Sequence, residues 1–308
     1  MNETPDAWMA SAQQHLRDGD QAKAIGCLQS AVALDPGHGS AGLLITTLHQ
    51  ADRIEEAYTL GDRYRREGPR NPRALFRFGW LLAFSGEIER AEALFRELVE
   101  IDRGGIYEAW GQGELAYLAR ARGQPQQAVD WMRRAIDARP EDTISRVGLA
   151  QMLVEAGDPR AAVPLLEVEL GKNPAALGYG AMPASLVMGW AYRRLGDEAA
   201  AAPWLATLQD RQVPGMGTSP LARELALLAI RGSVDEALHL AERIPHIALY
   251  GAPDPHDGMY ASLEGYPAYE RLMQRCIDRI DAERARMGWA PLAPSRRGTT
   301  QSVPTAGM

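Results

Sequence analysis

An alanine returns through this chain at intervals of 33 to 39 residues: Ala24, Ala57, Ala91, Ala128, Ala162, Ala201 and Ala237. Five residues before them stand Gly19, Asp52, Gly86, Gly123, Gly157, Gly196 and Gly232, so six of the seven copies carry glycine there. Pro36, Pro69, Pro140 and Pro174 close four of the first five copies. A period of this length means one small structural unit stacked on copies of itself. Within each copy the apolar residues recur at three- and four-residue steps, the signature of helices with one buried face. The stretch from Phe78 to Asp102 holds two such helices, with Gly79 inside the first, Gly86 between them and Ala91 inside the second. Glycine weakens a helix by about 1 kcal/mol relative to alanine, so Gly79 needs a packing reason. Small residues at 79 and 91 let two helix backbones approach where they cross. Gly86 ends the first helix in the left-handed conformation that glycine tolerates best. Asp20, Asp158, Asp197 and Ser233 are good caps for the second helices, and the prolines stop them by lacking an amide donor.

This pattern resembles the tetratricopeptide repeat, a 34-residue helix–turn–helix with small residues at its eighth and twentieth positions and proline at its thirty-second. The first copy follows it through Trp8, Ala12, Gly19, Ala24, Ala31 and Pro36. The resemblance implies an all-α solenoid of about seven helical hairpins, wound as a right-handed superhelix over residues 1–245. The second copy departs from the pattern, with Ile45 and Asp52 at small-residue positions. Extra residues precede copies four and six, and Pro164 and Pro203 fall inside second helices, where they should bend them. Residues 246–290 read as a loop and a capping helix, roughly Tyr266–Met287, that covers the last apolar face. Asp254, Pro255, Leu263, Pro267, Tyr269 and Leu272 are similar to the ends of repeat arrays in some bacterial regulators, which implies a bacterial origin. The Pro/Ser/Thr/Gly-rich tail 291–308 reads as disordered.

Composition removes several functions. The net charge of −7 argues against a sequence-independent grip on nucleic acid or an anionic membrane, since both need surplus Lys and Arg. Cys27 and Cys276 make no metal spacing and no disulfide framework. They read as reduced thiols in the cytoplasm. The N-terminus has no apolar stretch of a signal peptide, and no run of 18 apolar residues suggests a membrane span. The fragment Gly111–Ala116 is glycine-rich, but it lies inside a helical pattern rather than after a strand, as a phosphate loop requires. Asp254–Asp257 groups two carboxylates with His256, too few ligands for a divalent cation. The expectation is therefore no enzyme, no cofactor and no metal.

Binding remains. At 100° per residue, positions 2, 5, 9 and 12 of a first helix lie roughly 140° from the face that meets its partner helix. In the tetratricopeptide family that second face lines the groove that holds peptides. Here it carries Arg73, Phe76 and Trp80, with Phe84 adjacent; then Trp110, Tyr117 and Arg120; then Trp190 and Arg193, with Arg194 adjacent. Aromatic residues and arginine dominate binding hot spots, and arginine pairs carboxylates in bidentate fashion. The resemblance thus implies a scaffold that holds a protein or peptide with acidic groups, anchored on Trp80, Tyr117 and Trp190. The alternative for these rings is packing between neighbouring repeats. The Lys/Asn clamp with which chaperone-binding members of the family hold a C-terminal carboxylate is missing. Two other functions stay open at this point: self-assembly into a homo-oligomer, and sensing of a small ligand by a regulator.

Overall fold

The computed structural model describes residues 4–68, 70–206, 220–244 and 258–292. Pro69, Leu208, the Asp254–Asp257 loop and the chain after Leu292 lie outside them. Seven helical hairpins follow one another: α1 (Pro5–Arg17) with α2 (Gln21–Leu34), α3 (Ser40–Gln50) with α4 (Ile54–Arg66), α5 (Pro72–Phe84) with α6 (Ile88–Ile101), α7 (Ile106–Ala121) with α8 (Pro125–Ala138), α9 (Thr143–Glu155) with α10 (Pro159–Lys172), α11 (Ala184–Leu195) with α12 (Glu198–Leu205), and α13 (Pro220–Arg231) with α14 (Val234–Arg243). A last helix, α15, runs from Pro267 to Arg286. The fold is an all-α solenoid of the tetratricopeptide type.

Each hairpin turns where the sequence pattern places its glycine. Gly86 has φ 78°, and the same position is left-handed in the other six copies. That includes Asp52, at φ 60° the one non-glycine residue with positive φ among the described residues. The second hairpin therefore forms despite its missing glycine. Asp20, Asp158 and Asp197 accept from the backbone amides of Lys23, Ala161 and Ala200, as good caps should. Ser233 stands at its cap position without a side-chain bond. Helices α10 and α12 each continue through their prolines.

The small residue of the first helix faces a large buried side chain of the second. A Cβ on Gly79 would lie 2.6 Å from Cε1 of Phe95, which is fully buried. One on Gly189 would lie 2.5 Å from Leu205. These contacts set how closely the helices of a hairpin approach.

A different solution holds the fifth repeat. Where the first, third and fourth copies bury Ala31, Leu98 and Ala135, this one buries Glu169, at 1% exposure. Its carboxylate accepts from Arg146 Nε at 2.6 Å, Thr143 Oγ1 at 2.7 Å and Lys172 Nζ at 3.0 Å. Burial opposes ionisation, but these donors outweigh it and hold Glu169 down to about 2.

Helix α15 begins as a cap and ends as a tie. Its first half lies on α14, with Arg271 bonded to Glu242 and Arg275 donating to the carbonyls of Ala241 and Ile244. Its far end meets the second and third repeats. Glu283 accepts from the Tyr58 hydroxyl at 2.8 Å and lies 3.1 Å from His49 Nε2. Arg284 donates to the Ser85 carbonyl and pairs with Glu87. Arg286 pairs with both Asp52 and Glu55. Beyond the helix, Trp289 meets the ring of Tyr58 edge-on, and Leu292 covers Gly86. Burial again opposes ionisation of Glu283, and its bonds to His49 and Tyr58 pull it below the ordinary carboxylate range. Asp52 thus serves twice, as a left-handed turn residue and as a partner of Arg286.

Gly79→Ala should destabilise the chain by about 1–3 kcal/mol through overpacking, despite alanine's better helix propensity; a lowered melting temperature checks this. The stabilisation from Glu169 should be complete above its unfolded value of 4.5 and drain away as pH falls toward about 2. Denaturant melts of Glu169→Gln and wild type should differ by up to about 3 kcal/mol at pH 7 and converge in acid.

Candidate functional site

The ten residues of the predicted groove face separate into three groups. Phe76, Trp80, Phe84 and Trp110 come together, and Arg73 shares helix α5 with the first three. Phe76, at 4% exposure, is the hub: its ring centroid lies 5.7 Å from Trp80, 5.6 Å from Trp110, 5.6 Å from Tyr107 and 6.0 Å from Phe95. Trp80, Phe84 and Trp110 surround it half-buried, with Phe84 5.9 Å from Trp80. The Arg77 guanidinium stacks 4.7 Å above the Trp80 ring. Arg73, half-buried, lies against Gly39, the residue before α3, where a Cβ would be 2.9 Å from its guanidinium. Burial raises the Tyr107 hydroxyl above its usual range, while Arg73 and Arg77 pull it the other way.

The second group is structural. Tyr117 is 4% exposed, and its hydroxyl donates to Gln151 Oε1 at 2.9 Å. Those two residues occupy the same position in successive repeats. Arg120 is buried over the Tyr117 ring and pairs with Glu155 at 3.1 Å. Trp80 makes a similar bond across one repeat, its indole N–H donating to the buried Glu114 at 2.7 Å. Tyr117 and Arg120 thus join one repeat to the next. The Tyr117 hydroxyl and one Arg120 nitrogen have partners within the wall, which offsets part of the cost of burying them.

The third group belongs to the sixth repeat. Trp190 is 4% exposed and packs where the C-terminal segment passes; a Cβ on Gly258 would lie 3.3 Å from its ring. Arg193 donates to the Arg231 carbonyl and pairs with Glu198. Arg194 is exposed. Of the three aromatic anchors, Trp80 alone keeps a half-open ring.

Three features of this face were not read from the sequence. Arg77 and Tyr107 fall outside positions 2, 5, 9 and 12, yet they complete the aromatic patch. Glu114 is a carboxylate amid small and apolar residues of α7, and that mismatch was a usable signal. The detour before α11 also reaches this face. Its tip, Gly178–Gly180, closes a narrow recess of about 30 Å³ against Trp80, Trp110, Glu114 and Ile144. That is room for roughly two waters. The indole nitrogen of Trp110 is buried and has no hydrogen-bond acceptor among the described residues.

Other candidates resolve simply. Gly111–Ala116 lies inside α7. Among the described residues no group of three or more His, Cys, Asp and Glu could hold a metal ion, and no helix is long and apolar enough to cross a membrane. Cys27 and Cys276 are free thiols. A larger crevice of about 800 Å³ lies between α2, α3 and α4, away from the aromatic patch.

Comparison with known proteins agrees with the repeat architecture. Tetratricopeptide-repeat family models match residues 72–104, 114–176 and 147–216, so the chain carries tetratricopeptide repeats there. Solved structures with a similar fold include PilF of Pseudomonas aeruginosa (16% identity, covering 67% of this chain and 90% of that one, TM-score 0.52). A tetratricopeptide repeat protein from Parabacteroides merdae is another (14% identity, 88% and 98%, TM-score 0.51). So is PilW, a type IV pilus biogenesis factor (18% identity, 67% and 92%, TM-score 0.52). At such identities the likeness is one of fold. No curated protein matches the chain.

Proposed function

We propose that the chain is a non-catalytic scaffold that holds a peptide segment of a protein partner on the face shared by α5 and α7. The observation that carries this reading is the patch itself. Trp80, Phe84 and Trp110 offer half-open rings beside the guanidinium group of Arg77, with Arg73 one turn earlier on the same helix, in a chain whose net charge is −7. Aromatic residues with arginine supply most hot-spot energy at interfaces. Arginine pairs carboxylates, and α5 carries both Arg73 and Arg77, so the partner segment carries Asp or Glu near an apolar residue. The buried indole N–H of Trp110 is a further donor for it. The ladder of bonds from Trp80 to Glu114, Tyr117 to Gln151 and Arg120 to Glu155 gives the patch a rigid backing, which suits recognition. A bacterial, cytoplasmic setting completes the proposal.

A second reading is self-assembly. The crevice between α2, α3 and α4 favours it, because Val32, Leu44, Leu48 and Leu60 give it an apolar lining. Light scattering separates the two, since a scaffold awaiting its partner should elute at the monomer mass of 33.7 kDa.

The test is capture of a partner from the host lysate by wild type, by Trp80→Ala/Trp110→Ala and by Arg73→Ala, each checked for helicity by circular dichroism. The double variant should lose the partner, and Arg73→Ala should weaken it by about ten-fold. Equal capture by all three would move the binding site off this face.

A further inference from the structure

Between α10 and α11 the chain makes a detour into the wall of the groove face. Leu177 and Pro183 pair as an isolated antiparallel bridge at its neck. Gly178 N donates to Met182 O at 2.8 Å, and Ala184 N to Ala176 O at 2.9 Å. Gly180, at φ 63°, reverses the chain at the tip. The first of these bonds closes within the detour, and the second ties its neck to the first residue of α11. Its tip presents Tyr179, 6% exposed, to the space between α7 and α9. The ring lies 5.5 Å from that of Tyr117.

The seat under this ring is made by two missing side chains. A Cβ on Gly113 would collide with the Tyr179 phenol, and one on Gly148 would lie 3.1 Å from its Cδ2. Both glycines are inside helices, where alanine would be the better helix former. Gly178 lets the loop backbone lie against α9, since a Cβ there would be 2.8 Å from Val147. The seat suits a ring better than it suits a phenol. The Tyr179 hydroxyl is 3.4 Å from Ser145 Oγ and 3.4 Å from the Ala109 carbonyl, both long for an O–H···O bond.

We propose that this seat is an aromatic side-chain subsite of the binding face, and that Leu177–Met182 is a tethered occupant which a partner's phenylalanine displaces. The inference rests on the reading of this face as a peptide site. The recess beside Trp80 and Trp110 is too small for a side chain as it stands, and the loop tip forms one of its walls. Withdrawing Tyr179 merges recess and seat into one channel from α5 to α9. The partner segment then carries an aromatic residue between small ones, as the loop does, near the carboxylate that Arg73 and Arg77 select. A tethered occupant competes at an effective concentration in the millimolar range, so weak or mismatched segments are rejected.

The test uses the full chain with residues 177–182 replaced by Gly-Gly. Its probes are fluorescent peptides with the sequence AALGYGAMP, that of residues 175–183, and versions with phenylalanine or alanine in place of the tyrosine. The shortened chain should bind the phenylalanine peptide at least as tightly as the tyrosine peptide, and the alanine peptide about ten-fold more weakly. Wild type should bind all three about 100-fold more weakly than the shortened chain binds the tyrosine peptide. A folded shortened chain that ignores every peptide, or a wild type that binds equally well, overturns the proposal. If the shortened chain does not fold, Tyr179→Ala takes its place with toluene and p-cresol as probes: ring binding seen by ligand-observed NMR supports the seat, and its absence overturns it. Loss of partner in Trp80→Ala/Trp110→Ala alongside failure here would leave the peptide site standing without this subsite.

Discussion

Each repeat depends on two helix backbones meeting where a side chain would not fit. Gly79 against Phe95 shows the arrangement: a missing Cβ on one helix receives a large ring from the other. Once that distance is set, the turn between the helices must be short and left-handed, and a glycine or an aspartate supplies it. A hairpin built this way still has an uncovered apolar face, and burying it requires the next hairpin. Close crossing, tight turn and stacking are one chain of cause. Glu169 shows how far the scheme stretches, because a carboxylate can replace an alanine or a leucine if three donors surround it.

The periodic part of this scheme was legible in the sequence. Small residues at crossing points and glycines at turns act within one repeat, so they leave marks at fixed spacing. Asp52 broke the spacing rule without breaking the turn, since aspartate is among the residues that tolerate a left-handed backbone. The tie made by α15 left no such mark. Glu283, Arg284 and Arg286 read as ordinary charges on a helix surface, and their partners lie some 200 or more residues away. No local pattern announces a contact of that kind.

The candidate face was legible in part. Helical register put Phe76, Trp80 and Trp110 on one side of the chain, and their rings do meet. Register alone does not say how deep a side chain goes. Tyr117 and Arg120 share the register of Trp80 but find partners in the next repeat, Gln151 and Glu155, and are drawn into the wall. Trp190 is covered from beyond the repeats, by the segment around Gly258. The detour that brings Tyr179 against α7 read only as extra residues before the sixth copy, because the fit of a ring over Gly113 and Gly148 exists only in three dimensions.

The reach of α15 bears on how the molecule is made. Most packing here joins neighbouring hairpins, so repeats can assemble in order as they leave the ribosome. Tyr58, Ser85 and Asp52 emerge early, with two polar groups and a turn carbonyl prepared for side chains that do not yet exist. Their partners arrive with the final stretch of the chain. Bringing together points this far apart carries a loop-closure cost that grows only slowly with length, and a prebuilt run of hairpins shortens the search. The second repeat, whose turn carries Asp52 in place of glycine, is thus completed only after α15 has been made.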